Sequence, residues 1–219
     1  MKYELISPNV IKCENFLPPD IIDLLYVDFL NTRNKFNVPK WAHYGKTQTQ
    51  ELNSHLCGGL DWWINYPKTK NSVNAPTIES LDKWILHQGL KSFIGFNSKK
   101  SVFTLFNRCN LHYAIHCISY NKGGYYNWHS DGHVRFNGVL HDNLFTANLI
   151  LQKPSALKGG AHLFMDEEII EEPCKNNTLF IFPSYIDHAV SPLEGKGEVS
   201  FNEQRFSIQF WLGAISYET

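Results

Sequence analysis

The sequence has almost no excess charge of either sign, because 20 Lys and Arg face 21 Asp and Glu among its 219 residues. A net formal charge of −1 provides no overall attraction to nucleic acid or to anionic lipid, so neither is a favoured partner. No apolar run approaches the roughly 20 residues that span a bilayer. The N-terminal residues mix apolar with polar and charged side chains, unlike a signal peptide. We therefore expect a soluble, cytoplasmic protein with no membrane partner.

Closely spaced cysteines are also lacking. The five cysteines are widely separated and include no Cys-x-x-Cys pair. Disulfide frameworks and cysteine-rich zinc sites show even numbers or close pairs of cysteines. The pattern therefore predicts reduced thiols in a reducing compartment.

Hydrophobic residues make up 43% of the chain and charged residues only 19%, which excludes a disordered chain or a coiled coil. Apolar residues at helical spacing predict helices over 18–32 and 77–95, and residues 36–75 between them read as a long loop. Beyond residue 100, short runs are separated by Asn, Gly and Pro. They predict strands at 101–107, 111–120, 125–131, 144–152, 160–165, 178–183, 187–190 and 204–213.

Many short, closely spaced strands favour a sandwich, jelly roll or barrel. The sequence thus predicts a mainly β fold, in which N-terminal helices support a jelly-roll core. No linker or internal repeat divides the chain, so we expect one domain over residues 1–219. In this prediction, residues 1–100 supply helical support and substrate-side loops, and residues 101–219 form the β core.

The segment 120–133 (YNKGGYYNWHSDGH) holds the first candidate site. His129 and Asp131 are two residues apart, so on a strand their side chains lie on the same face. An imidazole beside a carboxylate supplies two of the three ligands of a facial non-haem Fe(II) site. His188, which follows a strand that reads as buried, is the candidate third ligand. A solvated turn is the alternative for an isolated His-x-Asp.

The last predicted strand, 204–213, alternates in character. Arg205, Ser207, Gln209 and Trp211 lie on one face, and Phe206, Ile208 and Phe210 lie on the other. A buried arginine requires an anion, and its planar fork suits a carboxylate. Lys196, in a Gly-Lys-Gly turn, is a rival cation, because 17 positions separate His188 from Arg205 and leave room for an inserted hairpin or lid.

These residues together resemble the 2-oxoglutarate/Fe(II)-dependent dioxygenases, and most closely their prolyl-4-hydroxylase-like branch. The resemblance covers roughly the C-terminal half of the chain. It rests on Tyr120, Gly124, Tyr126, His129, Asp131, Gly159-Gly160, Phe182-Pro183, His188, Val190 and Arg205-Phe206-Ser207 in that order. The family fold is a double-stranded β-helix, which agrees with the predicted jelly roll.

The resemblance implies that His129, Asp131 and His188 are Fe(II) ligands. It implies that Arg205, with Ser207 and Tyr120, binds the distal carboxylate of 2-oxoglutarate. The expected reaction uses O2 and couples 2-oxoglutarate decarboxylation to hydroxylation of a substrate C–H, with ascorbate in support. A prolyl or other amino-acid residue in a peptide is one candidate substrate, and a small molecule is another.

Two alternatives remain open at this point. A cupin-like protein could bind metal through His129, Asp131 and His133 without using 2-oxoglutarate. A non-catalytic β-sandwich binding module would bind no metal at all. Neither the substrate nor the oligomeric state follows from the sequence.

Overall fold

The computed structural model describes residues 2–36, 59–65, 114–136, 139–197, 199–212 and 215–217. The described helix is α1 (Pro19–Asn31). The first eight strands are β1 (Lys2–Ser7), β2 (Val10–Glu14), β3 (Leu60–Asn65), β4 (Ala114–Tyr120), β5 (Tyr126–His129), β6 (His133–Phe136), β7 (Val139–Asp142) and β8 (Phe145–Gln152). They are followed by β9 (Lys158–Gly159), β10 (His162–Asp166), β11 (Glu168–Glu172), β12 (Thr178–Pro183), β13 (Asp187–Val190), β14 (Leu193–Glu194), β15 (Arg205–Leu212) and β16 (Ile215–Tyr217).

Two antiparallel sheets form the core. The larger has the order β1-β2-β12-β8-β15-β4-β3, and the smaller has the order β11-β10-β13-β5. They pack face to face where Phe164 of β10 meets Phe180 and Phe182 of β12, with ring centroids 5.3 and 5.1 Å apart. The central neighbours β12, β8, β15 and β4 of the larger sheet are distant from one another in sequence, as in a double-stranded β-helix. The predicted mainly β fold with a jelly-roll core is confirmed.

The central strands of the larger sheet are covered on both faces. Every residue of β12 is buried, as are the first seven residues of β8. Near-continuous apolar runs are what a sheet needs when both of its faces are packed. One face packs against the smaller sheet and the other against α1.

Helix α1 begins at a proline pair, which suits the first turn because its N–H groups have no partner within the helix. It ends where the Thr32 hydroxyl donates to the Asp28 carbonyl at 2.7 Å. The buried residues Leu25 and Phe29 join the apolar cluster on β15, where the rings of Phe29 and Phe206 lie 4.6 Å apart. The helix predicted over 18–32 is therefore confirmed.

Several strands were not predicted. The hairpin β1–β2 adds to the edge of β12, and β3 pairs with β4 although the sequence of 36–75 reads as loop. These short segments become strands because an existing sheet edge supplies hydrogen-bond partners. Strand β14 pairs with β9 rather than forming the expected hairpin between His188 and Arg205.

The helix predicted over 77–95 and the strand predicted over 101–107 lie outside the described residues, as does most of 36–75. In the part of the chain that the structure describes, no helix is long and apolar enough to cross a bilayer.

Candidate metal centre

Three side chains from distant parts of the sequence meet at the end of the smaller sheet. His129 ends β5, and His188 lies directly opposite it on the paired strand β13. Asp131 follows two residues later, and its backbone N–H donates to the Ser184 carbonyl at 2.8 Å. One ligand atom from each of the three lies within 4.8 Å of the other two. The structure thus brings together the three residues that the sequence picked out as a metal site.

The backbone fixes the orientation of both imidazoles. His129 Nδ1 donates to the Asn127 carbonyl at 2.7 Å, and His188 Nδ1 donates to the Ile186 carbonyl at 3.0 Å. Because carbonyls only accept, each Nδ1 carries a proton, and each Nε2 is the ring atom that faces Asp131. The Nε2 atoms lie 3.7 and 3.5 Å from the two Asp131 carboxylate oxygens, too far for hydrogen bonds. The buried His188 Nε2 has no hydrogen-bond partner among the described residues.

The Asp131 carboxylate is held by the larger sheet. Its Oδ2 accepts from Gln209 Nε2 at 2.6 Å and from Thr146 Oγ1 at 2.9 Å. Since Thr146 uses its proton on Asp131, the Ser184 hydroxyl 3.0 Å away donates to Thr146. The Gln209 amide oxygen in turn accepts from His116 Nδ1 at 3.1 Å. These contacts orient a candidate ligand from behind, as outer contacts of metal ligands do.

Arg205 is buried within the same interior, with no exposed surface. Its Nε donates to Cys174 Sγ at 3.2 Å, and its Nη1 lies 3.4 Å from Ser207 Oγ. Its Nη2 has no hydrogen-bond partner, and no carboxylate pairs with the guanidinium among the described residues. A buried, unpaired cation of this kind is strongly unfavourable unless an anion joins it.

Tyr120 lies directly opposite Arg205 on the neighbouring strand β4. Its ring centroid is 4.8 Å from the guanidinium carbon, which is within the range of a cation–π contact. Lys196, the rival cation, is exposed in the turn after β14. Of the two candidates, the structure therefore brings Arg205 into the interior, together with Ser207 and Tyr120.

The Gly159-Gly160 pair allows the chain to pass close to Arg205. Both glycines have positive φ, +71° and +69°, which L side chains rarely adopt. A Cβ on Gly159 would lie 2.3 Å from the Pro192 carbonyl oxygen, and one on Gly160 would lie 2.7 Å from Leu193 and 3.3 Å from the Arg205 side chain. Glycine at both positions therefore allows this backbone segment to pass close to Pro192, Leu193 and the Arg205 side chain.

His162 is a residue that the sequence reasoning missed. It is fully buried, and neither ring nitrogen has a hydrogen-bond partner among the described residues. Burial, followed by the nearby His188, Arg205 and His129, holds the pKa of His162 well below its usual value, so the ring is neutral. Strand alternation predicts only a core position for His162, because it shares a face with the core residue Phe164, so no local signal marked it as a site residue.

One aromatic side chain packs against the three-residue cluster, and two exposed aromatics are close to its members in sequence. Tyr126 is buried and stacks on His129 with ring centroids 4.0 Å apart. Trp128 and Tyr185 are 42% and 61% exposed, one beside His129 and the other between Ser184 and Ile186. The side chain of His133, the third residue of the cupin-like alternative, lies outside the described residues.

Comparison with known proteins shows which proteins this part of the chain is similar to. Residues 115–213, which include all six predicted site residues, match the family model of the 2OG-Fe(II) oxygenase superfamily. A search of curated protein sequences found no significant match.

Solved structures share the fold at low identity. A Pseudomonas putida prolyl-4-hydroxylase is 17% identical over 94% of this chain and 92% of its own, with a TM-score of 0.56. A Trichoplax adhaerens prolyl hydroxylase, in complex with a hypoxia inducible factor oxygen degradation domain peptide fragment, is 16% identical over 94% and 84%, with a TM-score of 0.64. A viral collagen prolyl hydroxylase from Paramecium Bursaria Chlorella virus-1, in a 2OG complex, is 19% identical over 93% and 95%, with a TM-score of 0.55.

Proposed function

We propose that this chain is a 2OG-Fe(II) oxygenase, as the family-model match over residues 115–213 supports. We propose that it hydroxylates a C–H of an amino-acid residue within a peptide, using His129, Asp131 and His188 as Fe(II) ligands. The observation that carries the proposal is the convergence of two imidazoles and one carboxylate within 4.8 Å. We also propose that residues 1–219 act as one domain, since the similarity to the prolyl hydroxylases extends over more than nine-tenths of the chain.

The donor set fits a ferrous ion. Two neutral imidazoles and a carboxylate form the facial triad of non-haem Fe(II) oxygenases, and the buried His188 Nε2 otherwise has no partner among the described residues. When bound, Fe(II) supplies the redox chemistry of O2 activation, with coordination positions left for a chelating 2-oxo acid. The protein's part is to fix the donors: backbone carbonyls hold both imidazoles, and Gln209 and Thr146 hold the carboxylate.

We propose that Arg205 binds the distal carboxylate of 2-oxoglutarate. Its guanidinium is buried and has a free Nη2 among the described residues, so a dianionic co-substrate would supply the missing anion. Ser207 and Tyr120 are the neighbours that would complete this contact. The buried Arg205 suits the role better than the exposed Lys196.

A peptide substrate is supported by two exposed aromatic residues close in sequence to candidate ligands, Trp128 next to His129 and Tyr185 three positions before His188. Exposed Trp128 and Tyr185 offer apolar area for an extended chain, and exposed aromatics of this kind are typical of binding surfaces. The similar structures are prolyl hydroxylases, one of them with a bound peptide, so a prolyl residue is the first substrate to test. Asp131 also favours hydroxylation over halogenation, since a carboxylate fills the position that halide would take.

The first test measures 2-oxoglutarate binding to the Mn(II)-loaded protein by calorimetry, because turnover without substrate is slow. We expect one co-substrate molecule per chain, and succinate formation with Fe(II), O2 and ascorbate. Asp131→Ala should abolish both, whereas Asp187→Ala, an exposed neighbour of His188, should abolish neither. Metal binding without 2-oxoglutarate binding would instead indicate the cupin-like alternative.

The substrate is then sought among peptides and free amino acids, with proline-containing peptides first. We expect a peptide product that has gained one oxygen atom, formed in proportion to succinate. If only free amino acids or other small molecules gain oxygen, the peptide part of the proposal is wrong.

A further inference from the structure

The interior of the fold contains a second histidine next to the candidate triad. His162 begins β10, and its ring stacks on Phe164 on one side, with centroids 4.7 Å apart. On the other side it lies nearly parallel to His188, at 5.9 Å and 16°. It does not belong to the group whose ligand atoms lie within 4.8 Å of one another. Its role is therefore something other than that of a fourth ligand.

The two ring nitrogens of His162 are buried without hydrogen-bond partners among the described residues, which is energetically unfavourable. A neutral imidazole has one N–H donor and one acceptor, and in the described residues neither is matched. Arg205, whose side chain lies close to Gly160 of the same segment, also has a buried atom, Nη2, without a partner there. Unmatched buried polar groups destabilise a fold, and their concentration in one interior region is typical of a site that a polar ligand completes.

Resting on the proposed function, we propose that His162 is a further co-substrate-binding residue, whose ring N–H donates a hydrogen bond to the 2-oxoglutarate carboxylate held by Arg205. Gly160, two residues earlier, brings the same segment of chain against the Arg205 side chain. The segment that carries His162 thus approaches the Arg205 side chain at Gly160 and the candidate ligand His188 at the His162 ring.

The experiment compares variants in the Mn(II)-loaded protein, with 2-oxoglutarate affinity as the readout. His162→Phe keeps the aromatic stacking but removes both nitrogens, and it should weaken 2-oxoglutarate binding at least tenfold, as expected for a hydrogen bond to a charged group. His162→Gln retains a donor and should recover part of that loss. Mn(II) affinity should stay within twofold in both variants. Phe164→Leu, which alters the packing against His162, Phe180 and Phe182 but removes no nitrogen, should leave 2-oxoglutarate affinity within twofold.

A second measurement needs no substitution and covers variants that fail to fold. In wild-type protein labelled with ¹⁵N-histidine and loaded with diamagnetic Zn(II), 2-oxoglutarate should shift a ring nitrogen of His162 and slow exchange of its N–H proton. Unchanged His162 signals, or wild-type affinity in His162→Phe, would overturn the inference while the proposed function stands. If the wild-type Mn(II) protein binds no 2-oxoglutarate at all, both are overturned.

Discussion

The two faces of strand β15 perform different tasks with alternate residues. Phe206, Ile208 and Phe210 are fully buried and pack against α1 and its neighbours, where apolar side chains fill the space completely. Arg205 and Gln209 point into the opposite layer, between the two sheets. There the side chains are equally buried but polar, and Arg205 Nη2 lacks a partner among the described residues.

The difference separates the residues that contribute to stability from those that are suited to binding a ligand. The helix-side layer is complete in the absence of any ligand, because apolar packing requires no partner beyond its own side chains. The layer between the sheets holds charges and imidazoles that favour folding only when something else satisfies them. Substitutions on the two faces should therefore change different measurable quantities.

The largest effect on stability is expected from Phe206→Ala. The side chain is fully buried and its ring lies 4.6 Å from Phe29 and 5.2 Å from Phe201, so the substitution leaves a cavity in the helix-side layer. We expect the free energy of unfolding to fall by about 3–5 kcal/mol in urea titrations. The 2-oxoglutarate affinity of the folded Mn(II) protein should change less than twofold.

Phe29→Ala, on α1 rather than on β15, is the matched control for that substitution. It should lose comparable stability and also preserve 2-oxoglutarate affinity. A tenfold loss of affinity in both variants would show that the two faces are coupled and would contradict the comparison.

Arg205→Met should change the opposite quantity. The substitution keeps an unbranched apolar stem but removes the guanidinium and its charge, so 2-oxoglutarate affinity should fall about a hundredfold, in line with truncation of a buried charge pair. The free energy of unfolding without ligand should stay the same or rise by about 1 kcal/mol, because a buried cation without a counter-charge is replaced by an apolar group. Lys196→Met, in the exposed turn, should alter neither quantity. A loss of co-substrate affinity in Lys196→Met would mean that the wrong cation was assigned.

The sequence predicted the elements whose patterns are local. The helix over 18–32 and the strands that become β8, β12 and β15 appear within one or two residues of their predicted limits, because alternation and capping are encoded in neighbouring residues. Strand β3 and the hairpin β1–β2 were not predicted, since they exist by pairing with a sheet edge that is distant in sequence.

Residues of the candidate site, like the strands, could be predicted only where a local pattern marks them. His129 and Asp131 could be found from their spacing, and the register that places His188 opposite His129 agrees with the resemblance. His162 and Thr146 carried no such signal, because a histidine or a threonine in an apolar strand is usually a core residue. Their proximity to His188 and Asp131 depends on how the two sheets face each other, which no local pattern encodes.

Gln209→Leu tests a β15 residue that would act on the metal only through another residue, Asp131. Its expected effect is the smallest. Gln209 would touch no metal or co-substrate. It donates to Asp131 Oδ2 at 2.6 Å and accepts from His116, so it positions the carboxylate. Removing such an outer contact should weaken Mn(II) binding about tenfold, measured by calorimetry. Thr146 still donates to the same oxygen, which limits the loss.

Gln152→Leu is the matched control. Gln152 lies at the far end of β8, and its amide donates to the backbone carbonyls of Asn202 and Gln204. It should leave Mn(II) affinity unchanged. If Gln209→Leu also bound Mn(II) as the wild type does, the amide would serve only to satisfy its neighbours. In that case only some of the groups that β15 places between the sheets would act on the ligand. The others would only fill their layer, as all the β15 groups of the helix-side layer do.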